Sequence, residues 1–167
     1  VLAPENGAIT SGAPSERRKF LDLVLAQSSK SYLEDLLEYR RVLRQRNKIL
    51  LDARFSRRDC SGLLEPWNES LINHGTRIAL KRLRFVNEFN PYVTRVYEDL
   101  ASGAEKPSVI YQSALQVEGG NAAEIEQEFR TRLASSAHEE QRTATTTVGP
   151  HRDDLQLCLF SATIPSW

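Results

Sequence analysis

The chain contains no methionine. A complete reading frame begins with one, so a sequence of 167 residues that opens on Val1 reads as a piece of a longer protein. Its two cysteines, Cys60 and Cys158, lie far apart with no Cys or His at ligand spacing, which excludes a zinc ribbon and a CxxC redox pair and leaves two free thiols as the expectation. No apolar run approaches the ~20 residues of a membrane span, and nothing resembles a signal peptide, so no membrane partner and a cytoplasmic setting are expected. Neither sign of charge dominates, because 22 Lys and Arg meet 22 Asp and Glu, so net charge selects no partner. Also missing are a GxxxxGK[S/T] phosphate loop, a GxGxxG turn, a GxSxG nucleophile elbow and an HExxH zinc helix. The segment is therefore expected to carry no catalytic residue, no metal site and no cofactor, and not to be an enzyme by itself.

What is present is an ordinary globular composition, 40% hydrophobic and 26% charged, enough for one domain with a real core. Residues 1–13 read as a loop. Residues 15–103 read as helices. Ser15 is a natural N-cap, followed by Phe20, Leu21, Val24 and Leu25 at helical spacing. Ser31-x-x-Glu34 is a capping box that opens a long helix, roughly Tyr32 to Arg58. Leu36, Leu43 and Leu50 lie seven apart in it, with Tyr32, Tyr39 and Ala53 at complementary positions and one polar member, Arg46. Ser61-Gly62 predicts a break. A second long helix, roughly Pro66 to Phe89, carries Leu71, Ile78 and Phe85 seven apart, and the matched lengths predict an antiparallel hairpin. Asn90-Pro91 predicts a cap and the start of a new short helix ending at Gly103.

From residue 107 to 160 the period predicts strand, helix, strand. Val109 to Val117 alternates, Asn121-x-x-Glu124 opens a helix that fades near Arg142, and Leu155 to Phe160 alternates again. The expected class is mainly α with a few strands: a long antiparallel helical hairpin plus a small antiparallel strand pair, in one domain over 1–167.

Charge is skewed locally. Arg40, Arg41, Arg44, Arg46, Lys48, Arg54, Arg57 and Arg58 face one acid, Asp52, and Arg77, Lys81, Arg82 and Arg84 add four bases on the partner helix. Such a surface suits nucleic-acid phosphates. The competing reading is a solvated face, or arginines paired with acids elsewhere. Arg17 and Arg18, with Lys19, form a second basic cluster in the first turns of a helix, where they oppose the dipole. Finally, Gly149-Pro150-His151-Arg152-Asp153-Asp154 places four ionisable side chains after a fixed turn, which is either a polar turn entering a strand or a site for a charged partner.

Several runs together resemble the RecF family, bacterial DNA replication and repair ATPases of the SMC-like ABC group. They are Gly12 to Asp22, Tyr39 with Val42 to Asn47, Trp67 to Leu71, Ile110 to Ser113, and Gly149 to Leu155. The resemblance covers nearly the whole chain. It departs at Asn6, where the family usually has an acid, and over Phe160 to Trp167, which lacks the expected turn and charges.

The resemblance implies the central helical segment, an arm or second lobe, of a protein whose Walker A loop lies before Val1 and whose signature and Walker B motifs lie after Trp167. For the whole protein it implies ATP and Mg as cofactors, DNA as partner, ATP-dependent homodimerisation, and work with RecO and RecR at gaps to help load the recombinase. It places Gly149, His151, Arg152, Asp153 and Asp154 near the junction with the ATPase lobe, in a lobe-junction or nucleotide-coupling role that it does not fix, with Arg17 and Arg18 in the same half. The rival function is a structural helical module that binds a protein partner and never meets nucleic acid.

Overall fold

A computed structural model describes residues 12–56, 59–100, 105–115 and 121–161. Five helices and two strands follow in chain order: α1 (Pro14–Ser28), α2 (Lys30–Ser56), α3 (Ser61–Leu100), β1 (Glu105–Gln112), α4 (Ala122–Ser135), α5 (Ala137–Thr143) and β2 (Asp154–Ser161). The class is mainly α with one antiparallel strand pair. The loop expected over 1–13 lies almost entirely outside the described residues.

The hairpin of α2 and α3 is antiparallel, because contacts run in opposite senses along the two helices. Arg46 meets Asn68, Asp35 meets Arg77 and Lys81, and Tyr32 meets Arg82. The heptad stripe is the seam: Tyr32, Leu36, Tyr39 and Leu50 are buried and Leu43 partly so, with Val42 buried beside them, opposite Leu71, Ile72 and Ile78. Ile125, Phe129 and Leu133 of α4 close the same core, with Val109 and Leu155 from the strands.

The ends of the helices differ from the sequence reading. The cap of α1 is Ala13, with Pro14 in the first turn and no side-chain cap bond, so Ser15 is already helical. The cap of α2 is Ser29 rather than the Ser31 box. The Ser29 hydroxyl and carbonyl both accept from the Tyr32 amide, and burial of Tyr32 fixes the register two residues early. Ser61-Gly62 starts α3 instead of ending α2. Asp59 accepts from the Ser61 amide and hydroxyl, and the Cys60 carbonyl takes the Leu63 and Leu64 amides.

Pro91 does not start a new helix, and α3 runs through it. Asn90 has a tertiary task in place of a cap. Its side chain donates to the Val109 carbonyl and accepts from the Val109 amide, pairing with β1 as a strand backbone would. That docking holds the helix past the bond that proline removes.

The strands pair over Glu105↔Ser161 to Gln112↔Asp154. β1 therefore lies earlier than the predicted 109–117. Pro107 is tolerated because both strands of a two-stranded sheet are edges. β1 ends where Ser113 and Ala114 turn to bond Asp153. The predicted helix from Asn121 to Arg142 breaks in two at Ser136, and Asn121 caps it through the Ala123 amide.

Candidate functional site

The segment from Thr146 to Asp154, between α5 and β2, is the crossing point of the fold. Gly149 opens it at φ 125°, a left-handed conformation that suits glycine. A Cβ there would also run into the Tyr39 hydroxyl and come within 2.8 Å of Phe129 Cζ.

Four of the five residues after it are held by other elements. The Pro150 carbonyl accepts from Arg82 Nη1 at 2.7 Å. Tyr39 Oη lies 2.7 Å from His151 Nδ1, and His151 Nε2 lies 3.0 Å from the Thr146 carbonyl. A carbonyl only accepts, so Nε2 carries the hydrogen and Nδ1 accepts from tyrosine. Burial depresses the His151 pKa to about 4, which keeps the ring neutral at physiological pH. Asp153 is 1% exposed and accepts from the Tyr111 hydroxyl, Ser113 and the Ala114 amide. Burial raises its pKa, and those bonds only partly offset the rise. Its backbone carbonyl takes Arg18 at 2.7 Å. Asp154 is gripped by Arg17 through two bonds of 2.9 and 2.7 Å, which hold its carboxyl below the usual range. Arg152 is exposed and reaches back to the Thr146 carbonyl. The two most specific runs of the sequence, 12–22 and 149–155, are thus stitched to each other.

Two buried ionic clusters flank the turn. In the first, Asp22 accepts from Arg82 (2.7 Å) and Tyr32 (2.6 Å) on one oxygen and from Arg40 (3.1 Å) on the other. In the second, Arg46 donates to Glu140 at 2.6 Å, Thr146 at 2.7 Å and Asn68 at 2.8 Å. Asn47 takes the Thr146 amide and hydroxyl, and Glu140 also takes the Thr147 amide.

The basic face is therefore smaller than the sequence suggests. Arg46 is 2% exposed and cannot reach nucleic acid; the polar member of the heptad stripe is a buried lock. Arg82 is equally buried. Arg77 and Lys81 converge with His74 on buried Asp35. Burial alone would raise the Asp35 pKa, yet the donors from His74 and Lys81 hold it below the ordinary value. Three of the four bases expected on α3 pair with Asp35 or Asp22, and Arg84 is exposed with no ion pair among the described residues, so the expected basic surface on two adjacent rods lies mainly on α2. There Arg40, Arg44 and Lys48 recur every four residues on one exposed stripe. Arg41 beside it pairs with Glu38 and stands over the Trp67 ring. Among the described residues Arg44 and Lys48 have no ion-pair partner.

The turn separates two concavities. One, of about 400 Å³, is walled by Arg18, Lys19, Arg40 and His151 over Asp22 and Arg82. The other, of about 900 Å³, is a more open groove beside Tyr111, Ser113, Arg152 and Asp154. Sequence reasoning missed Asp22, Tyr32, Arg82 and Glu140 as polar anchors. The one signal for them was aromatic and basic residues recurring on an apolar stripe. Among the described residues no three His, Cys, Asp or Glu side chains gather to hold a metal.

No protein-family model matches the chain. Among curated proteins it is similar to the DNA replication and repair protein RecF of Chloroherpeton thalassium, 39% identical over 156 residues that make up 92% of this chain and 42% of the relative. RecF of Salinibacter ruber is 36% identical over 93% of this chain and 38% of the relative. RecF of Ligilactobacillus salivarius is 36% identical over 95% and 42%. The chain thus spans about two fifths of the length of the curated relatives it matches. Among solved structures it is similar to the recombination mediator protein RecF in its RecF-ATPrS form, with TM-score 0.88 and 28% identity over 95% of this chain and 42% of that one. The RecF-ATP form gives TM-score 0.87 and 27% identity.

Proposed function

We propose that this chain, homologous to part of RecF along nearly its whole length, is the helical lobe of a RecF-type DNA replication and repair protein, and that it offers the α2 stripe to DNA phosphates. The observation that carries this reading is the separation of its charges. Arg46, Arg82, Arg77 and Lys81 are engaged in buried or half-buried pairs, whereas Arg44 and Lys48 have no ion-pair partner among the described residues, beside the half-exposed Arg40. A stripe of three cations one turn apart neutralises phosphates, and nothing in it reads bases, so the contact is sequence-independent.

Nucleotide chemistry belongs in this reading to the rest of the protein. The relatives' solved forms carry ATP or ATPrS in their names, but the sequence here has no phosphate loop. The 149–154 turn is the place where this lobe meets that remainder. It joins α1, α2, α3 and β1 through short bonds, so a push on Arg152 or Asp154 is felt by the whole hairpin. Dimerisation and the RecO and RecR partnership belong to the same proposal for the whole protein.

The test is DNA binding by the chain, followed by fluorescence anisotropy of a labelled duplex across a salt series. Substituting Arg44→Glu together with Lys48→Glu should weaken binding and flatten the log–log salt slope by about 1.8, at ~0.9 per phosphate contact on a duplex. Binding that is absent at low salt, or is indifferent to both substitutions, refutes the DNA surface and favours the protein-partner module.

A further inference from the structure

We propose that the half-open concavity between α1, α2, α3 and the 149–154 turn is a binding site for a single phosphate group. Its charges do not balance. Arg18, Lys19, Arg40 and Arg82 line it, against one carboxylate, Asp22. Both oxygens of that carboxylate are already engaged, Oδ1 by Arg82 and Tyr32 and Oδ2 by Arg40. Arg18 is oriented by a backbone carbonyl, which carries no net charge to offset it. Lys19 has no ion-pair partner among the described residues. His151 adds no charge, since both ring nitrogens are engaged in neutral bonds.

A concavity with several cations and one shared anion is short of negative charge. The imbalance is costly where Arg82 and Asp22 are buried at its floor, and a bound dianion relieves it. A phosphate suits the donors, because guanidinium forks and an ammonium match its tetrahedral oxygens. The placement of Arg18 and Lys19 in the first turns of α1 also finds a reason. There they oppose the helix dipole, and an anion between them and the helix start reverses the penalty. Arg17, the third base of that run, already has its acid in Asp154. The volume of about 400 Å³ admits a phosphate with water or with part of a nucleotide. The site shares Arg40 with the α2 stripe, whereas Arg44 and Lys48 do not line it.

Titration of the chain with inorganic phosphate at low ionic strength, by calorimetry and phosphorus NMR line width, tests this. Saturable binding is expected, with chloride at matched ionic strength failing to compete. Lys19→Gln should weaken it about tenfold, the loss of one charge-assisted hydrogen bond, and Lys19→Arg should keep it. Lys19 is exposed, so circular dichroism should show both variants folded. Arg44→Gln with Lys48→Gln should weaken phosphate binding far less than Lys19→Gln does, which separates this site from the rest of the DNA stripe. Competition by a short oligonucleotide identifies the phosphate as a nucleic-acid one; failure to compete, with ADP competing instead, identifies a free nucleotide or anion. Absence of saturable phosphate binding, or binding unaltered in a folded Lys19→Gln, overturns the proposal.

Discussion

Removing one partner of the Arg46–Glu140 pair tests whether Arg46 is a lock or a ligand. The two side chains are 2% and 0% exposed and 2.6 Å apart. Arg46→Met fits the stripe by volume but leaves the Glu140 carboxylate buried, with only Thr147 still donating to it. An uncompensated buried charge of this kind costs about 3–5 kcal/mol. For a chain of this length each kcal/mol moves the melting temperature by about 2–4 °C, so the loss is roughly 6–20 °C. Arg46→Met with Glu140→Met removes both charges and should recover most of that, because well-packed apolar replacements of buried pairs are near neutral. Urea unfolding followed by circular dichroism supplies the cycle. Glu140→Gln sharpens it: a DNA-contacting Arg46 would bind more tightly when the nearby acid is neutralised, at no cost in stability, whereas a lock loses stability and gains no affinity. A single-variant loss below about 1 kcal/mol, or a double variant no better than the singles, refutes the lock.

Two further outcomes follow from the turn itself. Gly149→Ala should destabilise by more than about 1–3 kcal/mol, the cost of the left-handed backbone alone, because the new methyl also meets Phe129; near-wild-type urea unfolding would contradict the turn geometry. His151 titrates near 4 when folded against 6.5 ordinarily, so the folded state binds fewer protons between those values and stability falls as the pH drops through that window. About 2 kcal/mol should be lost from this group between pH 7 and 5, and His151→Gln should show a correspondingly flatter pH dependence; an unchanged slope would place the histidine in solvent.

The hairpin was readable because its seam repeats every seven residues, and the members of the heptad stripe are buried apart from Leu43 and Ala53, which are partly so. The strand pair was readable from alternation, though the end of its first strand was not, since the alternation continues past Gln112 whereas Ser113 and Ala114 turn to bond Asp153. Helix boundaries were misread wherever a polar residue has a tertiary partner. Asn90 looks like a cap and serves β1, and Ser31 looks like a box although Tyr32 dictates a cap at Ser29. The charged site was misread for the same reason. Arg40, Arg44 and Arg46 are alike in sequence, and only the third has Glu140 and Thr146 opposite it, about a hundred residues away. No local pattern encodes such a partner.

The distribution of these partners bears on how the lobe moves. Arg17–Asp154, Arg18–Asp153, Arg82–Pro150, Tyr39–His151 and Arg46–Thr146 each tie a different helical position to one short turn. Buried charge pairs contribute little net stability relative to apolar packing, yet losing one partner is expensive. A sliding of α2 against the turn would break several of them at once, so the cheap motion keeps hairpin and turn together as one body. The exposed cations Lys19, Arg44 and Lys48 contribute no ion pair to that frame among the described residues. Their charge can be reversed without loosening it, and for that reason variants at these three positions report on binding, whereas variants at Arg46, Arg82 or His151 report first on the scaffold.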